Sequence, residues 1–124
     1  MRHSILIVED NTDNLKLVTW ILEDEGYGFT CVETAEAALE IMKKEVFDLV
    51  LMDISLPGMN GKEATRHIRA KSTFETLPVI AVTAHAVKGE IEDILSSGVS
   101  ALLTKPIDEE HLLQTIESFI GAEK

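Results

Sequence analysis

Five short apolar runs, each followed by an amphipathic stretch, divide this chain of 124 residues. That alternation constrains the fold most. Strands separated by helical crossovers form a parallel sheet with helices on both faces, an α/β architecture. The runs are Ile5-Leu6-Ile7-Val8, a weaker one over about Gly28 to Val32, Leu49-Val50-Leu51-Met52, Val79-Ile80-Ala81-Val82 and Ala101-Leu102-Leu103. Asn11 or Thr12 offers an N-cap to a first helix carrying Leu15, Val18, Ile21 and Leu22 at helical spacing, and Gly26 stops it. Thr34 caps a second helix running through Ala37, Leu39 and Met42. A loop holding Pro57, Gly58 and Gly61 leads to a third over about Lys62 to Ala70. A fourth covers about Lys88 to Ser96, with Gly98 in its C-terminal turn, and a fifth about Asp108 to Ile120. Pro57, Pro78 and Pro106 all fall outside helix and strand interiors.

Such a chain is long enough for one domain with its own core. No low-complexity stretch or Gly/Ser linker marks a boundary, so residues 1–124 read as a single domain without an output domain. The formal net charge is −11, which disfavours nucleic acid and anionic membrane, both polyanions, and suits metal cations or a basic protein surface. A single cysteine, Cys31, excludes an internal disulfide and a cysteine-built zinc site. It lies in an apolar strand and is expected to be an inert core thiol. The N-terminal apolar run is too short for a signal peptide, and none approaches the ~20 residues of a membrane span. A cytoplasmic protein is expected. His3, His67, His85 and His111 show no metal-ligand spacing. Trp20 points off the apolar stripe of the first helix, so it is either an exposed partner anchor or packed on a neighbouring helix.

The polar residues at the strand ends carry the chemistry. The first strand ends in Glu9-Asp10, the third in Asp53, the fourth in Thr83 and the fifth in Thr104-Lys105. Open α/β sheets bind ligands at the C-terminal strand ends, where the strand order reverses. If the order is 2-1-3-4-5, the first and third strands are neighbours. Glu9, Asp10 and Asp53 then meet at one edge of the crevice, and Thr83 and Lys105 close it from the other side. Three clustered carboxylates repel one another. A small hard cation relieves this, and Mg²⁺ favours a site of one or two carboxylates with waters and a phosphate oxygen. A carboxylate can also attack phosphorus to give an aspartyl phosphate. Such transfer needs alignment and charge stabilisation, which a metal, an ammonium and a hydroxyl supply. Asp53, on the middle strand, is the best-placed nucleophile.

The stretches Ile5-Leu6-Ile7-Val8-Glu9-Asp10-Asn11, Leu51-Met52-Asp53-Ile54-Ser55-Leu56-Pro57-Gly58-Met59-Asn60-Gly61, Val82-Thr83-Ala84-His85-Ala86 and Thr104-Lys105-Pro106, in this order and spacing, resemble the receiver domains of bacterial response regulators. The resemblance covers essentially the whole chain. It implies a flavodoxin-like (βα)5 doubly wound parallel sheet of strand order 2-1-3-4-5. It implies that Asp53 accepts a phosphoryl group from a phosphohistidine on a sensor histidine kinase or histidine phosphotransfer protein, and that an unknown downstream protein reads the result. Mg²⁺, or Mn²⁺ in its place, would be held by Asp10 directly, by Glu9 mostly through water, by Asp53 and by the Ser55 carbonyl. Thr83, Lys105 and the Ala84 N–H would hold phosphoryl oxygens. The Lys105–Pro106 bond would be cis. Ser55 and His85 occupy positions that tune acyl-phosphate hydrolysis. The wording around Thr83 and Lys105 tilts toward phosphorelay and hybrid-kinase receivers. One departure stands out. Many receivers carry Tyr or Phe three residues before the site lysine, and here that residue is Leu102, which suits permanent burial and has no hydroxyl. The usual switch pairing Thr83 with an aromatic is therefore in doubt, and the signal must leave as a backbone or packing change.

Other readings compete. A haloacid-dehalogenase-like phosphatase also uses an aspartyl nucleophile but wants Asp-x-Asp after the first strand, whereas Asp53 is followed by Ile54 and Ser55 on the third. A flavin-binding domain wants a hydroxyl-rich phosphate loop where Glu9-Asp10 stand. A phosphorylation-independent scaffold gives no use to Asp53 and Lys105.

Overall fold

A computed structural model of the protein describes residues 3–84 and 87–121. Five parallel strands, β1 (Ser4–Val8), β2 (Gly28–Val32), β3 (Leu49–Asp53), β4 (Val79–Thr83) and β5 (Ala101–Thr104), form one sheet in the order β2-β1-β3-β4-β5. Helices α1 (Thr12–Asp24), α2 (Ala35–Met42), α3 (Gly61–Arg69), α4 (Lys88–Ser96) and α5 (Glu109–Ile120) connect or follow them. A single 3-10 turn over Ser72–Phe74 precedes β4.

The helix starts follow the capping chemistry. Asn11 accepts the Asn14 N–H, Thr34 that of Ala37 and Asp108 that of His111. Asn60 and Glu63 cap each other's backbone N–H at the start of α3, a full capping box. Gly26, just past α1, takes φ +85°, and Gly98, past α4, takes φ +108°.

The strand period of two divides the core between the sheet's faces. Ile5, Ile7, Leu49, Leu51 and Ile80 face Val18, Ile21 and Leu22 of α1 and Leu112 and Ile116 of α5. Leu6, Val8, Val50, Met52 and Val79 face Ala35, Ala38 and Met42 of α2 and Ala64 and Ile68 of α3. The inner strands are therefore almost wholly apolar, as a sheet covered on both faces requires. Each enclosed Leu or Ile contributes about 1.5–3 kcal/mol.

Two expectations are corrected at the sheet edges. Cys31 is exposed rather than a core thiol. It lies on β2, an outer strand paired only with β1, and most of that strand is half-buried. Leu102 is half-buried rather than enclosed, because β5 is the other outer strand. Trp20, left open between two readings, is exposed at 60% of its surface. No described helix is long and apolar enough to cross a membrane.

Candidate functional site

The strand order sets the site. β1 and β3 are paired through Val8 and Met52, so the residues that follow, Glu9, Asp10 and Asp53, emerge side by side. Each offers a carboxylate oxygen, and these oxygens all lie within 4.8 Å of one another. Glu9 and Asp53 are buried, and Asp10 is exposed. Lys105 reaches in from the end of β5, its Nζ 3.3 Å from Glu9 Oε1 and 3.4 Å from Asp53 Oδ1. Its backbone N–H donates to the Thr83 carbonyl at 2.8 Å, and the Lys105–Pro106 peptide bond is cis.

Backbone donors hold the acids. The Ser55 N–H donates to Asp53 Oδ1 at 3.1 Å and the Asn11 N–H to Glu9 Oε2 at 3.2 Å. Beneath Glu9 and Asp53 lies a cavity of about 20 Å³ whose other walls are apolar, among them Val18, Leu51, Ile107 and Leu112. That setting penalises charge. Burial, and then the hydrogen bond and negative charge of Asp53, push the Glu9 carboxyl up to about 7, although the Asn11 N–H and the Lys105 ammonium pull the other way. One ammonium among three carboxylates leaves an excess of negative charge directed at a common point. The donors are all hard oxygens, the set that suits Mg²⁺ and not a soft metal.

The remaining expected residues fall as follows. Thr83 is buried at the end of β4, paired in register with Thr104 of β5, and Ala84 follows it exposed. Ser55 is exposed beside Asp53. His85 lies outside the described residues. Leu102 packs on a small separate cluster of Ile54, Ala81 and Ile94.

One residue important to the site was legible only as a turn former. Gly61 opens α3 with its Cα against the strand that carries the acid. A Cβ there would stand 2.4 Å from the Asp53 carbonyl oxygen and 2.9 Å from Ile54 Cα. The glycine-rich wording of the loop is the only sequence signal, and it does not reveal the contact.

Fold and site together define a doubly wound α/β protein with an acidic crevice at its switch point, closed by one lysine. The response regulator receiver domain pattern matches residues 5–117, and the chain belongs to that family. It is a receiver domain of two-component signalling. It is 44% identical over 120 residues to the sensor protein GacS of Pseudomonas syringae pv. syringae, covering 94% of this chain but only 13% of that protein. It is 39% identical to the polar-differentiation response regulator DivK of Brucella ovis, over 98% of both chains. Among solved structures, the receiver domain of a sensor histidine kinase from Pseudomonas aeruginosa PAO1, with a magnesium ion coordinated in its active-site cleft, superposes with a TM-score of 0.90 at 34% identity, covering 98% of this chain and all of that one. The chemotaxis protein CheY4 of Vibrio cholerae gives 0.89 at 25% identity, over 96% and 99%. These relatives displace the phosphatase and flavin readings.

Proposed function

We propose that residues 1–124 act as one cytoplasmic phosphoacceptor unit whose nucleophile is Asp53. The convergence of the Glu9, Asp10 and Asp53 oxygens within 4.8 Å, with Lys105 beside two of them, carries this reading. An Asp53 carboxylate oxygen forms the O–P bond as the N–P bond of a phosphohistidine breaks and the imidazole leaves. The donor is a sensor histidine kinase or a histidine phosphotransfer protein. Lys105 then stands where its ammonium can neutralise the transferred phosphoryl oxygens, with the Thr83 hydroxyl and the Ala84 N–H as further donors. The domain transfers the group to itself and loses it again, and turns over no external substrate. The altered surface is read by a downstream protein.

Asp10, Asp53, the Ser55 carbonyl and, through water, Glu9 would hold Mg²⁺ or Mn²⁺. When bound, the ion neutralises charge on the acids and on the phosphoryl oxygens. The site residues fit that role because their only cationic partner among the described residues is Lys105.

Intact mass after incubation with acetyl phosphate tests the reading, with and without Mg²⁺, on wild type and Asp53→Asn. A Mg²⁺-dependent single phosphoryl adduct on wild type alone is expected. An equal adduct on Asp53→Asn would move the nucleophile elsewhere. Absence of an adduct with both acetyl phosphate and a phosphohistidine donor would overturn the phosphoacceptor role.

A further inference from the structure

Two independent contacts, one apolar and one ionic, join helix α4 to the segment that runs from Asp53 into α3. In α4 only Ile94 is buried, and the N-cap residue Val87 supplies no side-chain cap. Ile94 packs with Ile54, the residue after Asp53, and with Ala81 and Leu102. With one buried side chain and no side-chain N-cap, α4 leans on its contacts with α3, which also include Arg69 Nε donating to the Gly98 carbonyl at 2.8 Å just past its C-terminus. The second contact is ionic. Lys62 of α3 forms a salt bridge to Asp93 and another to Glu90 at 3.5 Å, both on α4. Arg66, one turn further along α3, reaches Asp93 at 3.7 Å. Lys62 is mostly covered, its side chain 18% exposed. It directly follows Gly61, whose Cα rests on the Asp53 carbonyl, and the Gly61 N–H donates to the Ile54 carbonyl at 3.1 Å. The ion pair is thus one residue away from the backbone that shapes the acidic crevice.

We propose that Lys62 is a positioning residue for the phosphoacceptor site. Clamped to Glu90 and Asp93, it fixes the 54–61 loop relative to α4, so that the geometry around Asp53 and the placement of α4 change together. The proposal rests on the phosphoacceptor reading of the crevice and adds a residue to it. It also supplies a route out of the site that needs no aromatic on β5: Leu102 is part of the apolar half of the same joint. Partly exposed ion pairs add little to global stability, so the role shows in position and not in melting temperature.

The test uses wild type, Lys62→Met, Lys62→Arg and the double variant Glu90→Gln/Asp93→Asn. Two quantities are read: amide hydrogen exchange in residues 54–61 and 88–96, and Mg²⁺ affinity by calorimetric titration. Lys62→Met and the double variant should both raise exchange in the two segments together. Both should also weaken Mg²⁺ binding by about two- to thirtyfold, the range of a typical coupling between sites. Lys62→Arg should stay near wild type. The double variant is the sharper arm, since its substitutions lie on α4, away from the metal-binding oxygens. Faster exchange in α4 alone, with the 54–61 loop and Mg²⁺ affinity unchanged, would overturn the proposal. If wild type took up no Mg²⁺, the metal reading of the crevice would fall, and the exchange of the 54–61 loop would still decide the clamp.

Discussion

Gly61 and Asp53 touch through their backbones: a Cβ on Gly61 would lie 2.4 Å from the Asp53 carbonyl oxygen, closer than any side chain can come. The first residue of α3 is thereby pressed against the end of β3. Gly61→Ala must push that helix start away from the strand, and the neighbouring atoms are backbone, which cannot swing aside. The expected cost is about 1–3 kcal/mol, the usual penalty for overpacking. Displacement of the Asp53 loop should also weaken Mg²⁺ binding. Thermal melts with and without Mg²⁺ check both. An alanine variant with wild-type melting and wild-type Mg²⁺ response would show that the loop has room to give.

Asp53→Asn removes one of three crowded acids while keeping the shape of the side chain. Its Oδ1 can still accept the Ser55 N–H that now reaches the carboxylate at 3.1 Å. Melting should therefore stay at or above the wild-type temperature in metal-free buffer, because a repulsion is relieved. The phosphoryl adduct should vanish. A strongly destabilised variant would mean that the Asp53 charge, through Lys105, holds the fold together more than it strains it.

The fold was legible because its signals are local. Apolar runs, capping residues and helix-stopping glycines each lie within a few residues of what they specify: Thr34 caps where the sequence places it, Asn11 is the one of two candidates that caps α1, and Asp108, expected as the first residue of α5, is its cap. The acidic crevice was legible for a different reason: Glu9, Asp10, Asp53 and Lys105 all stand at strand ends, which one topology gathers. What stayed hidden depends on which elements become neighbours across the sheet. Cys31 looks like a core residue until β2 is known to be an edge. Gly61 looks like a turn former until its distance from Asp53 is known. Nothing in the sequence pairs Lys62 with Glu90 and Asp93, which meet only because α3 and α4 lie side by side.

Glu9 makes the metal-free protein pH-sensitive in a defined direction. Its carboxyl is raised from 4.5 to about 7 in the folded state. Between those values the folded chain keeps a proton that the unfolded chain has lost, so this group lowers stability as pH rises from about 4.5 to about 7 and adds no further slope above that. Melts in chelator should show that decline, and Glu9→Gln should flatten it. A cation competes with the proton for the same oxygens, so the rise in melting temperature on adding Mg²⁺ should be larger at pH 8 than at pH 6. An Mg²⁺ response independent of pH would separate Glu9 from the metal.

Tyr27 ties the two ends of one layer together. Its ring is buried in the α1/α5 core, and its hydroxyl donates to the Gly121 carbonyl at 2.9 Å, just past the last turn of α5. Tyr27→Phe keeps the ring packing and removes the donor. The carbonyl it leaves lies in an exposed residue and can turn to water, so the loss should be about 1 kcal/mol, the net value of a single hydrogen bond, and not the larger penalty of a buried orphan. That corresponds to a fall in melting temperature of roughly 4 °C for a domain of this size. Hydrogen exchange should quicken in the last turn of α5 and leave the crevice unchanged, because Tyr27 precedes β2 at the N-terminal end of the strands and Asp53 and Lys105 stand at the C-terminal end. Faster exchange around Asp53 would instead show that α5 helps to hold the site in place.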